Sequence, residues 1–299
     1  MDTSLQLPTI ALDGNKYTRG SLLILAGSRR YPGAAVLATL AAEKTGAGYI
    51  NLAIPASAAQ IARSHLLCSP VIEAAEDPEF GCFAATALPA IASEVHRIDA
   101  ICAGPGLTTA SDVREFIREL IQMASTLSVP LLLDADALNV ISVEPSLFDA
   151  LRSRTSPLVL TPHTGELARL YNAYAGKLTE RATELSIPVT QAASYLSNEL
   201  AAAIVAKGPT TYIASADDIY ESNQATPALA KAGTGDVLAG IISSLLAQGM
   251  QAEKAALAGV RIHSRAGILA EQELGRRSVT ALDVIAAIPE ALKQYESTE

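Results

Sequence analysis

The sequence lacks tryptophan, and aromatic residues make up only 4% of its 299 residues. Because 49% of the residues are nevertheless hydrophobic, the core must be built largely from Ala, Leu, Ile and Val. Continuous aliphatic runs are typical of parallel strands that are covered by helices on both faces. The composition therefore favours an α/β fold.

Cysteine is also scarce. The only three cysteines are Cys68, Cys82 and Cys102, and none of them forms a CxxC pair. This pattern excludes a disulfide framework and a structural zinc site. We therefore expect a protein of a reducing compartment.

Positive charge and long apolar runs are missing as well. Lys and Arg number 22 against 31 Asp and Glu, which gives a net charge of −9. This balance removes the general attraction to nucleic acids and acidic membranes, so an anionic ligand must be held locally. No uncharged apolar run approaches about 20 residues, and the first residues resemble no secretion signal. We expect a cytoplasmic protein with no nucleic-acid or membrane partner.

Short aliphatic runs alternate with helical patterns along the whole chain. This alternation predicts one domain over residues 1–299, with a largely parallel central sheet and helices on both faces. Helices are predicted to begin after Asp236 and to cover residues 253–271. A loop is predicted at residues 73–81 and a polar turn region at 215–226. The predicted strands are residues 22–25, 49–54, 100–103, 131–133, 158–160 and 203–206.

The segment Gly233-Thr234-Gly235-Asp236 stands directly before the strongest predicted helix. Small residues let the backbone approach a ligand, and the free N–H groups at a helix N-terminus attract phosphate. Asp236 would then lie beside that phosphate and could accept a proton from an attacking hydroxyl group. The alternative is that Asp236 is only a helix N-cap and the glycines only form a turn.

Other polar turns follow the predicted strands, where ligands bind in open α/β sheets. His163 and Glu166 lie after one strand, Asp134 and Asn139 after another, and Lys207 after a third. Either Asp134 or Asp136 could face a ligand or hydrated magnesium, Asn139 could bind sugar or phosphate, and Lys207 could neutralise phosphate. Each could equally be a turn, cap or solvated residue.

Several known motifs are absent. The sequence contains no GxxxxGK[ST] P-loop, no dinucleotide-binding GxGxxG turn after its first strand and no GxSxG nucleophile elbow. His65, His96 and His263 have no metal-ligand spacing, so we interpret them as structural and predict no metal held by protein ligands alone.

Taken together, the strand-end segments resemble the bacterial ADP-dependent NAD(P)H-hydrate dehydratases, which are carbohydrate kinase-like domains of the ribokinase superfamily. The segments occur in the family's order and cover nearly the whole chain. They are Gly27-Ser28 with Tyr31-Pro32-Gly33-Ala34-Ala35, Ala103-Gly104-Pro105-Gly106-Leu107, Asp134-Ala135-Asp136-Ala137-Leu138-Asn139, Thr161-Pro162-His163-Thr164-Gly165-Glu166, Lys207-Gly208-Pro209-Thr210 and the segment from Gly233 to Gly240.

The resemblance implies a ribokinase-like fold and an enzyme that repairs hydrated NADH and NADPH. ADP would phosphorylate the ring hydroxyl group of the hydrate and leave as AMP, and phosphate would then depart. The resemblance also implies Mg²⁺, a homotetramer, and an epimerase supplied by a separate protein, because this sequence shows no epimerase domain.

The same resemblance implies roles for individual residues. Asp236 would be the catalytic base, and Gly233, Thr234 and Gly235 would form the anion hole. Asp134, Asn139 and Glu166 would support the site. The hydrated dinucleotide would contact Ala35, Gly106, His163 and Asp236, whereas the adenine nucleotide would contact Lys207, Gly208, Pro209, Thr210, Thr211 and Gly235.

One departure from the family pattern leaves alternatives open. Ala230-Lys231-Ala232-Gly233 replaces the usual Ala-Thr-Gly-Gly, which would add a positive charge beside the phosphates or alter the nucleotide preference. An ATP-dependent vitamin or sugar kinase of the same superfamily would share the anion hole, but the segments around His163 and Asp134 resemble the dehydratase pattern. A non-catalytic nucleotide sensor is the third alternative, and the intact Asp236 argues against it.

Overall fold

The described residues form a nine-stranded sheet with strand order β3-β2-β1-β4-β5-β6-β7-β8-β9. The computed structural model describes residues 6–175, 184–216, 218–222, 224 and 226–295. The strands are β1 Ser21–Leu25, β2 Tyr49–Pro55, β3 Val71–Ala74, β4 Ala100–Ala103, β5 Leu131–Leu133, β6 Leu158–Leu160, β7 Ala203–Ala206, β8 Thr211–Ser215 and β9 Asp218–Ser222.

Helices follow most of the strands and cover both faces of the sheet. A short 3₁₀ helix, Pro227–Leu229, precedes α9. The α-helices are α1 Pro32–Thr45, α2 Ala56–His65, α3 Leu88–Glu94, α4 Ser111–Leu127, α5 Asp136–Val143, α6 Pro145–Ser153, α7 Thr164–Tyr174, α8 Val189–Leu200, α9 Thr234–Ala247, α10 Ala252–Leu274 and α11 Ala281–Lys293.

The first seven strands in the sheet are parallel, as the sequence predicts. In the centre, Leu22 of β1 is paired with Ile50 on one side and Ala100 on the other. All five residues of β1 are buried, which explains why it is a continuous aliphatic run and does not alternate with polar residues. The prediction of a largely parallel sheet with helices on both faces is confirmed.

Two local predictions are wrong. Residues 73 and 74 belong to strand β3 and not to a loop. Glu73 is the outward-facing residue of this edge strand, so its charge is also typical of a loop. The predicted polar turn region at 215–226 contains strand β9, which pairs antiparallel with β8. Exposed edge strands carry polar residues and so resemble turns in sequence. Residues 217, 223 and 225 of that region lie outside the described residues.

The sheet separates two hydrophobic clusters. Side chains of α1, α2, α9, α10 and α11 pack on one face, and those of α3 to α8 pack on the other. Neighbouring residues of one strand contribute to opposite clusters, as Leu22 and Leu23 of β1 do. This alternation across the sheet is the expected consequence of strand geometry.

Helices α1 and α9 approach each other closely at Gly240. A Cβ atom at this position would lie 2.2 Å from the carbonyl oxygen of Ala38. That oxygen belongs to the backbone of α1, so the contact is relieved only by moving one helix. The close approach fixes the N-terminus of α9 relative to the first helix.

Gly240→Ala is therefore expected to lower the free energy of unfolding by about 1–3 kcal/mol through overpacking, although alanine favours helices. Urea denaturation would measure the change. Gly33→Ala is the matched control, because no atom lies within 4 Å of a Cβ there. Gly33→Ala should lower the free energy of unfolding by no more than about 0.5 kcal/mol. Equal effects of the two variants would contradict the packing argument.

Candidate active site

The carboxyl ends of the central strands bring the predicted turns together. The N–H of Gly27, after β1, donates to the carbonyl oxygen of Pro105, after β4, at 2.7 Å. The N–H of Lys207, after β7, donates to the carbonyl oxygen of Pro162, after β6, at 2.8 Å. Turns that lie up to 78 residues apart in sequence thus form one edge of the sheet, as open α/β sheets require.

Helix α9 begins at this edge. Gly233 is its N-cap residue, with a left-handed φ of 89° that favours glycine. Asp236 is the third residue of the helix, and no side chain caps its N-terminus. The interpretation of Asp236 as an N-cap is therefore wrong. The first N–H groups of α9 have no intrahelical partner, so the predicted anion hole at residues 233–235 lies at a helix N-terminus that is suited to an anion.

Thr234 has a different role in this anion hole from that of its neighbours. Its hydroxyl group lies 2.7 Å from the carbonyl oxygen of Leu229 and 2.9 Å from that of Lys231. The side chain is buried. Thr234 therefore holds the turn that precedes α9, and its hydroxyl group does not face a ligand.

The ammonium group of Lys207 lies beside the anion hole. Its Nζ is 3.5 Å from the position that a Cβ atom of Gly235 would take. It donates to Oδ1 of Asp134 at 2.7 Å, and the hydroxyl group of Thr161 donates to the same oxygen at 2.7 Å. Asp134 is only 1% exposed. The suggestion that Asp134 faces a ligand or hydrated magnesium is therefore wrong, because its carboxylate is the buried counter-ion of Lys207.

This group of charges shifts the pKa values of its members. Burial raises the pKa of Asp236 to about 7, and the nearby charge of Asp134 adds to the rise. Burial likewise raises the pKa of Glu166 to about 7, against the opposing charge of Lys207. Burial disfavours the charged form of Lys207, but Asp134 and Glu166 outweigh it and raise its pKa. A carboxyl group that titrates near neutral pH is suited to accept a proton.

His163 and Glu166 form a capping box at the start of α7. Oε2 of Glu166 accepts a hydrogen bond from the backbone N–H of His163 at 2.8 Å. Nδ1 of His163 accepts from the N–H groups of Gly165 and Glu166. Glu166 is therefore a buried cap that supports the position of His163, whose ring is half exposed.

The polar groups after β5 are largely bound within the protein. Oδ2 of Asp136 accepts from the N–H of Thr108 at 2.8 Å. The side chain of Asn139 accepts from Arg169 at 2.8 Å and contacts Asp136 at 3.4 Å. A contact of Asn139 with sugar or phosphate stays a prediction, because Arg169 and Asp136 occupy only one acceptor and one donor position of its amide.

The remaining residues of the predicted contacts lie around the same edge. Gly106 follows β4 at a φ of 68° and faces Tyr31. Ala35 is fully buried in α1, beneath the turn at Gly27, so no side-chain surface of Ala35 is available to a ligand. The turn between β7 and β8 contains Gly208, Pro209 and Thr210, and β8 begins at Thr211.

Lys231 points away from the anion hole. Its ammonium group donates to the carbonyl oxygen of Arg277, between α10 and α11. An extra positive charge directly beside the phosphates is therefore not supported. An effect of this substitution on nucleotide preference stays a prediction.

His263 is interpreted from the sequence as structural, and its burial agrees with that interpretation. It lies buried on α10, where burial lowers its pKa to about 4 and the backbone of Thr234 hydrogen-bonds to it. Its Nε2 is buried without a hydrogen-bond partner among the described residues. The sequence pattern of α10 does not indicate that His263 contacts α9, because this contact arises only from the packing of the two helices.

The described residues contain no group of three His, Cys, Asp or Glu side chains that could hold a metal ion. The donor set therefore does not fit a site made by protein ligands alone. Mg²⁺ commonly keeps several waters and takes its other ligands from substrate phosphates. These residues are compatible with a magnesium ion that arrives on a nucleotide.

With this geometry established, comparison with known proteins identifies the family. The NAD(P)H-hydrate dehydratase family model matches residues 22–290. The chain belongs to this family. Its resemblance to the family, inferred from the strand-end motifs, is confirmed.

The family includes longer proteins. The chain is 34% identical over 292 residues to the bifunctional NAD(P)H-hydrate repair enzyme Nnr of Moorella thermoacetica, covering 97% of this chain and 52% of that protein. The chain thus spans about half the length of the curated relatives that it matches.

Solved structures of the family show the same fold. An ADP/ATP-dependent NAD(P)H-hydrate dehydratase of Bacillus subtilis, co-crystallised with ATP and Mg²⁺, is 27% identical, with a TM-score of 0.76 over 97% of this chain and 95% of that one. A ribokinase-like superfamily protein of Enterococcus faecalis, at 23% identity, has a TM-score of 0.74 over 97% and 92% of the two chains. The ribokinase-like fold is confirmed.

The comparisons leave other expectations undecided. In the described part of the chain, no helix has the length and apolar character needed to cross a membrane. The homotetramer, the single domain over residues 1–299 and the cytoplasmic location stay predictions.

Proposed function

We propose that the chain catalyses the ADP-dependent dehydration of the S-epimers of hydrated NADH and NADPH, with AMP and phosphate as the other products. The observation that carries this proposal is the position of Asp236. Its carboxyl group, with a pKa raised to about 7, lies in the first turn of α9 beside the anion hole and within the field of Lys207. This position supports a general base that acts beside a phosphate site.

The first step transfers a phosphoryl group. Asp236 accepts the proton of the ring hydroxyl group, whose oxygen forms a bond to the β-phosphorus of ADP while the bond to the bridging oxygen breaks and AMP leaves. The N–H groups at the start of α9 and the ammonium group of Lys207 stabilise the charge on the transferred group. These donors are fixed before the reaction, Lys207 by its ion pair with Asp134.

The second step releases phosphate. Hydroxide is a poor leaving group and phosphate a good one, so phosphorylation prepares the C–O bond for cleavage. The lone pair of the adjacent ring nitrogen supplies the electrons and phosphate departs, which leaves an iminium ion. The departed phosphate then accepts a proton from the neighbouring carbon, and the electron pair of that C–H bond restores the double bond. Magnesium, if required, is brought by the nucleotide and neutralises phosphate charge.

Recovery of NADH from its hydrate tests this proposal. The purified chain is incubated with the separated S- and R-epimers and with ADP, ATP or no nucleotide, and the absorbance of NADH is followed. We expect NADH from the S-epimer with ADP, and no consumption of the R-epimer until a separate epimerase is added. Absence of NADH under all three nucleotide conditions would refute the activity.

The same experiment distinguishes the alternatives. A vitamin or sugar kinase of this fold would keep its phosphorylated product and release no inorganic phosphate. A non-catalytic sensor would bind ADP and hydrate without forming NADH. The family match and the presence of Asp236 favour the dehydratase over both.

A further inference from the structure

The imidazole ring of His163 is fixed on the first turn of α7 by two backbone amides. The nitrogen atoms of Gly165 and Glu166 lie 3.0 Å and 3.3 Å from Nδ1, with both N–H groups directed at it. A backbone amide can only donate a hydrogen bond, so Nδ1 must be unprotonated. A neutral imidazole carries one proton, which therefore lies on Nε2.

Two neighbouring residues hold the ring in this position. A Cβ atom at Gly165 would lie 3.0 Å from Cε1 and 3.3 Å from Nδ1 of His163, so the ring occupies space that a side chain would restrict. Oε1 of Glu166 lies 3.4 Å from Nε2. An acceptor oxygen on that side agrees with a proton on Nε2, and the contact is too long for a strong hydrogen bond. The Nε2–H group therefore retains its capacity to bind a ligand.

The surroundings also keep the ring neutral. Burial, followed by the charges of Lys207 and Arg169, lowers the pKa of His163, and only Asp134 opposes this shift. A second proton on Nδ1 would break both hydrogen bonds to the start of α7. The side chain nevertheless remains 55% exposed at the ligand-binding edge of the sheet. One ring nitrogen is thus bound by the protein, and the other is accessible.

We propose that the start of α7 holds His163 as a neutral imidazole with its proton on Nε2. At the contact with the hydrated dinucleotide that the resemblance implies, His163 would then donate a hydrogen bond through Nε2–H and would not be the base of either chemical step. This inference rests on the proposed function, which supplies the acceptor, because the hydrate carries a carboxamide carbonyl oxygen and phosphate oxygens. Asp236 accepts the hydroxyl proton, and His163 orients the hydrate. Gly165 and Glu166 are positioning residues that set the tautomer of His163.

Two variants separate the donor from the cap. In His163→Asn, the amide oxygen replaces Nδ1 as the N-cap acceptor, and the distal donor is lost. In His163→Gln, the longer side chain places an N–H donor near the position of Nε2 but is a poor cap. We expect His163→Asn to raise the KM for the hydrate about tenfold, with thermal stability close to that of the wild type. His163→Gln should raise this KM less than about threefold and lower the melting temperature.

A base would behave differently. If both variants lowered kcat by about a hundredfold or more without a change in KM, His163 would be a proton acceptor and the proposal would be overturned. Hydrated nicotinamide mononucleotide identifies the source of the acceptor, because it lacks the adenylate half. A tenfold effect of His163→Asn that persists with this substrate places the acceptor on the nicotinamide half, and an effect that disappears places it on the rest of the dinucleotide.

Nitrogen NMR of histidine-labelled protein tests the tautomer without any turnover. The His163 signals are assigned as those that disappear in His163→Asn. At neutral pH we expect an unprotonated Nδ1 and a protonated Nε2, and in Gly165→Ala a loss of this strict preference as the ring is displaced. A proton on Nδ1 in the wild type would overturn the proposal. Failure of the dehydratase assay alone would refute the proposed function and leave the tautomer result standing.

Discussion

Asp236→Asn is expected to lower kcat for NADH formation by about 10²–10⁴-fold, because an amide of the same shape cannot accept the hydroxyl proton. Single-turnover formation of AMP would measure this effect directly, since AMP forms in the step that uses the base. The affinity for ADP should change little, because the N–H groups of the anion hole remain. An Asp236→Asn variant with wild-type turnover would refute the assignment of the base.

The pH profile gives a second measurement on the same residue. Asp236 must be ionised to act as a base, and its pKa is raised to about 7 by burial and the charge of Asp134. For the wild type, kcat/KM should therefore rise with pH through about 7. Because Glu166 is raised to a similar pKa, the residual activity of Asp236→Asn is the control, and the rise should be absent there if Asp236 causes it.

The raised pKa of Asp236 also predicts that ionisation of this carboxyl group lowers the free energy of unfolding. The folded-state pKa of Asp236 exceeds the unfolded value of about 3.9, so the folded protein binds the proton more tightly and loses stability as pH rises toward 7. Asp236→Asn should consequently be more stable than the wild type at pH 8, with a smaller difference at pH 5. Urea denaturation at the two pH values would measure it, and a variant less stable at pH 8 would contradict this sign.

Lys207→Met is expected to lower the free energy of unfolding by about 3 kcal/mol and to raise the KM for ADP by at least tenfold. The substitution leaves the buried carboxylate of Asp134 without its cation, and removal of one partner of a buried ion pair is strongly destabilising. It also removes the positive charge that lies beside Gly235 at the anion hole. Chemical denaturation and steady-state kinetics measure the two effects separately.

The double variant Asp134→Asn/Lys207→Met is the control for this prediction. It removes both charges, so most of the lost stability should return, whereas the KM for ADP should stay high. Recovery of both properties would show that Lys207 acts only by stabilising the fold. Recovery of neither would show that the pair is not the source of the stability effect.

The sequence by itself determined which segments form the buried strands and which turns carry the polar residues of the candidate site. Six aliphatic runs correspond to strands in the structure, and four of them, at residues 100–103, 131–133, 158–160 and 203–206, match it to the residue. They were predictable because a strand buried on both faces must be aliphatic throughout. The sequence also predicted the edge of the sheet that carries the candidate site, because parallel strands bring together the turns that follow them.

The exposed edge of the sheet was not predictable in the same way. Strands β3 and β9 carry polar residues because one of their sides faces solvent, so their composition is that of a loop. Only pairing with a neighbouring strand shows that they are strands.

The roles of individual polar residues were decided by the tertiary structure. Asp134 follows β5 and Lys207 follows β7, 73 residues later in the sequence. Only the strand order β5-β6-β7 brings the two side chains together and makes the carboxylate a counter-ion of Lys207 and not a ligand. His263 meets the backbone of Thr234 only because α10 packs on α9. Local sequence therefore fixed where polar groups occur along the chain, whereas the direction of each group depended on partners brought close by folding. Burial among those partners is also what moves the pKa of Asp236 to the range in which it can act as a base.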